Sequence, residues 1–189
     1  MTNVDASLAL FLMLGQSAER TVKFHPETTP AEGLLLSDSY DLATVLPAEV
    51  RQAASASYVY KLFFVFENFL RDFVLSALSE DDKDNWWNKV PSDVQKEVSD
   101  LEEKEETKAW MALGSRPKLA LTTYPQLLAI IEHRWKDEFQ ELVRDKSLIQ
   151  EARHIGHSRN ALCHMTEVPE EEIDRVKQVI RDWFRVVAP

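Results

Sequence analysis

Residues 47–79, PAEVRQAASASYVYKLFFVFENFLRDFVLSALS, decide the fold. Pro47 is acceptable as a first helical residue, and good helix formers continue from it to about Ser79. Leu62, Phe63, Phe66, Phe69, Leu70, Phe73 and Val74 recur at three- and four-residue spacing, which sets one broad apolar face on a helix. This predicts a central helix. Five phenylalanines fall between 63 and 73, counting Phe64. Each is worth about 1.5–3 kcal/mol when fully buried, so the core is expected to nucleate here.

Outward from this segment the same period repeats. Residues 5–23 predict a first helix N-capped by Asp5, and 24–46, with Pro26, Pro30 and Gly33, a long connector holding at most an incidental hairpin. After the acidic SEDDKDNWW stretch, Trp86 and Trp87 predict a short packed turn before Pro91. Pro91 opens a helix over about 92–112 whose middle, DLEEKEETK, carries Glu–Lys pairs at helical spacing and reads as a solvated face. A GSRP break follows, then helix 124–143 with Leu127, Leu128, Ile130, Ile131, Trp135 and Phe139 inward, and helix 147–165. The last helix, 169–187, opens with Pro169 and three glutamates, which suit the positive end of a helix. The expectation is an all-α protein: an antiparallel helical bundle over 47–189 with an additional N-terminal helix and connector over 1–46, in one domain.

Composition bounds the function. The chain has 189 residues, 44% hydrophobic and 29% charged, as a globular domain requires. Its 4 Gly and 8 Pro are too few for a many-stranded sandwich or a glycine-rich phosphate cradle. The single cysteine, Cys163, excludes an internal disulfide and a multi-cysteine zinc site, and it reads as a small packed thiol in a cytoplasmic protein. The N-terminus, MTNVDASLALFLMLG, has Asp5 where a signal peptide has a basic region, and its apolar run Leu8–Leu14 is too short to span a bilayer. No membrane role is expected. The net charge of −10, from 22 basic and 32 acidic residues, argues against sequence-independent binding of long nucleic-acid duplexes but leaves room for a small basic cleft.

The chemistry concentrates in SLIQEARHIGHSRNALCH, residues 147–164. With Leu148 at zero on a helical wheel, Ala152, Ile155 and Leu162 lie within roughly 40° of it, and Arg159 at roughly 20°. An arginine in that stripe needs a carboxylate, an anion or a partner chain, or must snorkel to solvent. Arg153, His157, Asn160 and His164 form a second stripe at roughly 120–180°. Histidine, arginine and asparagine are groups that donate to phosphate and, in the case of histidine, move protons near neutrality. His157 and His164 are two turns apart, which is not the i, i+4 arrangement that chelates one metal, so no metal site is expected.

Arg159-Asn160-Ala161-Leu162-Cys163-His164 resembles the R-x4-6-H motif, with a polar residue after the arginine, of the HEPN (higher eukaryotes and prokaryotes nucleotide-binding) superfamily. FENFLRDF (66–73), the tryptophan pair leading to Val90-Pro91, and TYPQLLAIIEHRWKDEF (123–139) stand in the order of the HEPN branch also found fused to a PIN-type endoribonuclease of transcript quality control. The resemblance covers about residues 55–187. It implies a bundle that dimerises, with two motifs sharing one cleft, and a metal-independent RNA endonuclease that needs no cofactor. On that implication Arg159 stabilises the scissile phosphate, Asn160 orients it and His164 shuttles the proton, giving a 2′,3′-cyclic phosphate by 2′-OH attack. Glu67 either fixes Arg159 or makes an i, i+4 pair with Arg71, and His157 and Arg153 support phosphate binding. The implied partners are RNA, single-stranded in form, a second copy of the chain, and an antitoxin or regulatory protein if the chain is a toxin or defence effector. The alternatives are a noncatalytic HEPN module that binds RNA, nucleotide or protein, and a purely structural dimerisation domain.

Overall fold

Helix α3 runs over Pro47–Ser79, the bounds that its sequence predicts. In this computed structural model residues 3–24, 32–80, 83–108 and 116–187 are described. Pro26, Pro30, Gly114 and the last residues of the predicted 92–112 helix lie outside them. The chain divides into two units, Met1–Ser55 and Ala56–Pro189. Among the described residues no helix is long and apolar enough to cross a membrane.

In the first unit, α1 spans Asn3–Phe24. The helix has already begun at Asn3, so Asp5 lies inside its first turn instead of capping it. Within the bound set for it, the connector holds one small hairpin among the described residues, β1 (Leu35–Ser37) antiparallel to β2 (Tyr40–Asp41), with Leu35 opposite Asp41. Asp41 then caps α2 (Leu42–Val45): its Oδ1 accepts from the Ala43 and Leu34 amides, each at 2.9 Å.

The second unit is built around α3. Phe66, Leu70, Val74 and Leu78, one turn apart, are fully buried. Phe64 is the exception to the predicted phenylalanine core: it points away from that line and is exposed. A 3-10 turn at Trp86–Lys89 stacks the two indoles edge to face and leads through Pro91 into α4, Ser92–Glu106. Val94 and Val98 anchor α4, while its charged middle faces solvent as expected. A second 3-10 turn, Lys118–Leu121, precedes α5, Tyr124–His133. The predicted single helix 124–143 is interrupted: a π-helical turn at Trp135–Phe139 separates α5 from α6, Gln140–Val143. The wider turn still buries Phe139, whose ring meets Phe73 at 5.4 Å.

Helices α7 (Ser147–Cys163) and α8 (Glu170–Val187) complete the unit, α7 packing on both α8 and α5. Two buried aromatic groups lock α7 through its own carbonyls. Trp183 Nε1 of α8 donates to the Leu148 carbonyl at 3.0 Å, and the Tyr124 hydroxyl of α5 donates to the Ala152 carbonyl at 2.7 Å. Both rings also pack on Phe66 of α3. Burial pushes the Tyr124 phenol far above its ordinary range, with the Glu67 carboxylate acting in the same direction, so the hydroxyl remains a donor.

Candidate active site

The groove beside α7 begins with Arg71. One turn after Glu67 on α3, its Nε donates to the Leu119 carbonyl at 3.0 Å and its Nη2 to the Thr122 carbonyl at 3.2 Å, tying α3 to the turn before α5. Its Nη1 donates to Asn68 Oδ1 at 3.2 Å. Nη2 also pairs with Glu67 Oε1. The other carboxylate oxygen, Oε2, lies 3.5 Å from Arg159 Nε on α7. Glu67 therefore takes both partners that its sequence position offers.

Arg159 sits at the edge of the core, its side chain 28% exposed. On the helix it continues the apolar stripe of Ile155 and Leu162, and its charge is met by Glu67. Among the described residues its two terminal nitrogens make no hydrogen bond, leaving two planar donors for a ligand. Arg159 lines a groove together with Tyr60, Phe64, Asn68, Arg71 and Arg116. Arg116 reaches back to Glu105, whose carboxyl this hydrogen bond holds below the ordinary carboxylate range. Cys163 is not packed in the core as its small size suggests; it is exposed and lines the same groove.

Asn160 and His164 are exposed and lie outside the lining of this groove. Their side chains make no hydrogen bond among the described residues. His164 is the C-cap of α7, and the helix closes behind it in a Schellman motif: the Thr166 amide donates to the Ala161 carbonyl and the Met165 amide to the Leu162 carbonyl, each at 3.0 Å. Met165 takes the left-handed position at φ 57°, where glycine is usual. The proton-transfer candidate is thus carried on a hydrogen-bonded helix end.

His157 and Arg153 are placed elsewhere. His157 lines a second groove at the α7–α8 junction with His154, Glu167, Glu172 and Arg175. Arg153 pairs with Glu132 of α5 at the surface, where Lys146 also approaches within 3.5 Å. One chain therefore brings Glu67 and Arg159 together and leaves Asn160 and His164 on the adjoining face of α7. Arg71, Asn68, Tyr60 and Phe64 are groove residues that the reading of 147–164 did not include. The signal for them lies on α3: i, i+4 partners of Glu67 and of each other.

A family model described as Swt1-like HEPN matches residues 61–188. No curated protein and no solved structure matches the chain significantly.

Proposed function

The chain belongs to the Swt1-like HEPN family, and from that premise we propose that it is an endoribonuclease whose reaction needs no metal and no cofactor. The observation that carries this reading is the half-buried Arg159, paired at Nε with Glu67 and lining a groove, five residues before His164, whose imidazole makes no hydrogen bond among the described residues.

The chemistry follows from what RNA supplies. The ribose 2′ oxygen attacks the adjacent phosphorus, forming the O2′–P bond, while His164 moves the proton lost from the hydroxyl. The P–O5′ bond breaks, the 5′ oxygen gains a proton, and the products are a 2′,3′-cyclic phosphate and a 5′-hydroxyl. Arg159 stabilises the charge that builds on the non-bridging phosphate oxygens, and Asn160 orients the group. Since Arg159 and His164 point roughly 140° apart on one helix, the active assembly in this proposal is a homodimer whose two α7 helices share a cleft. The partner in this proposal is single-stranded RNA, and a toxin or defence role, with an antitoxin or other regulatory protein, belongs to the same reading.

Incubating purified protein with labelled single-stranded RNA in EDTA tests the reading. Fragments ending in a 2′,3′-cyclic phosphate support it. Binding without cleavage favours the second reading, a noncatalytic HEPN module, for which the specific observation is that Asn160 and His164 stand outside the Arg159 groove within one chain.

A further inference from the structure

We propose that Tyr60 and Phe64 form a stacking platform for an unpaired base of the RNA strand whose phosphate Arg159 binds. The inference rests on the ribonuclease reading and adds to it the feature that selects single strands. The two rings sit one turn apart on α3, 58% and 57% exposed, with centroids 6.0 Å apart and planes tilted by 35°. In the same groove Phe63 is buried edge-on against Tyr124.

Phenylalanine at 63 and 66 gains burial that phenylalanine at 64 forgoes, so the fold does not account for exposed rings at 60 and 64. Both line the groove of Arg159. Among the described residues, three guanidiniums, Arg71, Arg116 and Arg159, line that groove, against Glu67, which pairs with Arg71 and Arg159, and Glu105, which pairs with Arg116 from outside the lining, so one positive charge is in excess in a chain whose net charge is −10. A local positive excess beside paired aromatic faces is the recognition chemistry of single-stranded nucleic acid, with the backbone tracked by cations and bases laid on rings. A duplex keeps its bases stacked on one another and offers no free face. An apolar surface from a second copy would cover the rings but would also strip water from the guanidiniums without replacing it, so the arginines favour the anionic strand. Stacking is tolerant of base identity, so the platform selects an unpaired nucleotide and not a particular base.

The test uses the full chain carrying His164→Ala, so that RNA is bound without being cut, and fluorescence anisotropy with a labelled single-stranded RNA of about eight nucleotides. Adding Tyr60→Ala and Phe64→Ala is expected to weaken binding roughly 5- to 150-fold, the range for losing a base–aromatic stack. An RNA of the same length lacking its bases should bind the parent weakly and lose little more on the double variant. The mass by light scattering should not change. Equal affinity of parent and double variant, or of native and abasic RNA, overturns the platform, as does a change in oligomer mass that accounts for the lost affinity. If the double variant fails to fold, the abasic RNA on the parent protein decides. Should the parent bind no RNA, the ribonuclease reading falls and the platform with it. If it binds RNA in a way sensitive to Arg159→Ala and indifferent to the rings, only the platform falls.

Discussion

Glu67 holds Arg159 by a single carboxylate oxygen, Oε2, 3.5 Å from the guanidinium Nε, while its other oxygen is spent on Arg71. One acid on α3 thus aligns an arginine on α7 through a second arginine anchored to backbone carbonyls. Glu67→Gln keeps the shape and removes the charge from between the two guanidiniums. We expect a stability loss of about 1–3 kcal/mol from the weakened pairing. Cleavage should fall on the order of 10²-fold, because a displaced Arg159 no longer meets the phosphate squarely. Denaturant unfolding and single-turnover cleavage measure the two effects separately.

His164 and Arg159 should fail differently. His164 is exposed and its side chain has no partner among the described residues, so His164→Ala should lower cleavage by about 10²- to 10⁴-fold with thermal stability near that of the parent. Arg159→Lys keeps a charge but loses the planar fork, and it should remain impaired in cleavage while still pairing with Glu67. Undiminished cleavage by repurified His164→Ala protein would assign the activity to another site or another protein.

Met165 offers a test of the helix end. A side chain in the left-handed region costs about 1–2 kcal/mol, and glycine returns that strain while adding about 0.5–1 kcal/mol of chain entropy to be lost on folding. Met165→Gly should therefore raise the melting temperature by about 1–4 °C, and Met165→Val, branched at Cβ, should lower it. Differential scanning calorimetry distinguishes the three proteins.

Glu138 supplies a pH signature. The Lys89 ammonium, 2.8 Å from its Oε1, holds the Glu138 carboxyl below the ordinary carboxylate range against the opposing effect of burial, and Arg134 adds to the pull. A carboxyl depressed in the folded state stabilises the fold above its unfolded pKa, about 4.3, and that contribution is lost as pH falls through the folded value. Glu138→Gln should cost about 1 kcal/mol at neutral pH. The gap from the parent should narrow as pH falls below the ordinary carboxylate range and through the folded value, as urea unfolding across a series of acid pH values would show.

Much of this architecture is legible in the sequence because burial follows period. Pro47 and Ser79 bound α3 as read, and Phe66, Leu70 and Val74 are buried as their spacing demands. Residue type alone counts Phe64 with the core, although the same wheel that joins Phe66 to Leu70 pairs Phe64 with Tyr60 on the other side. The π turn at 135–139 left no trace, since apolar periodicity resumes on either side of it. For the site, the wheel of α7 asks of Arg159 either a partner or a route to solvent, and it separates Arg159 from His164. That Glu67 serves Arg71 and Arg159 at once depends on the approach of α7 to α3, and spacing along one helix reports only the Arg71 half.

The two clamps on α7 are unevenly distributed. Trp183 and Tyr124 seize the carbonyls of Leu148 and Ala152, both in the first half of the helix. Among the described residues, the half that bears Asn160 and His164 is held across to another helix by the Arg159–Glu67 ion pair. Amide hydrogen exchange along α7 should consequently form a gradient, slow from the middle of the helix back toward Leu148 and quickening past Arg159. Opening on this uneven helix begins at the end that would carry the proton, so a second copy or an RNA strand can alter the lifetime of that last turn without disturbing the core beneath it.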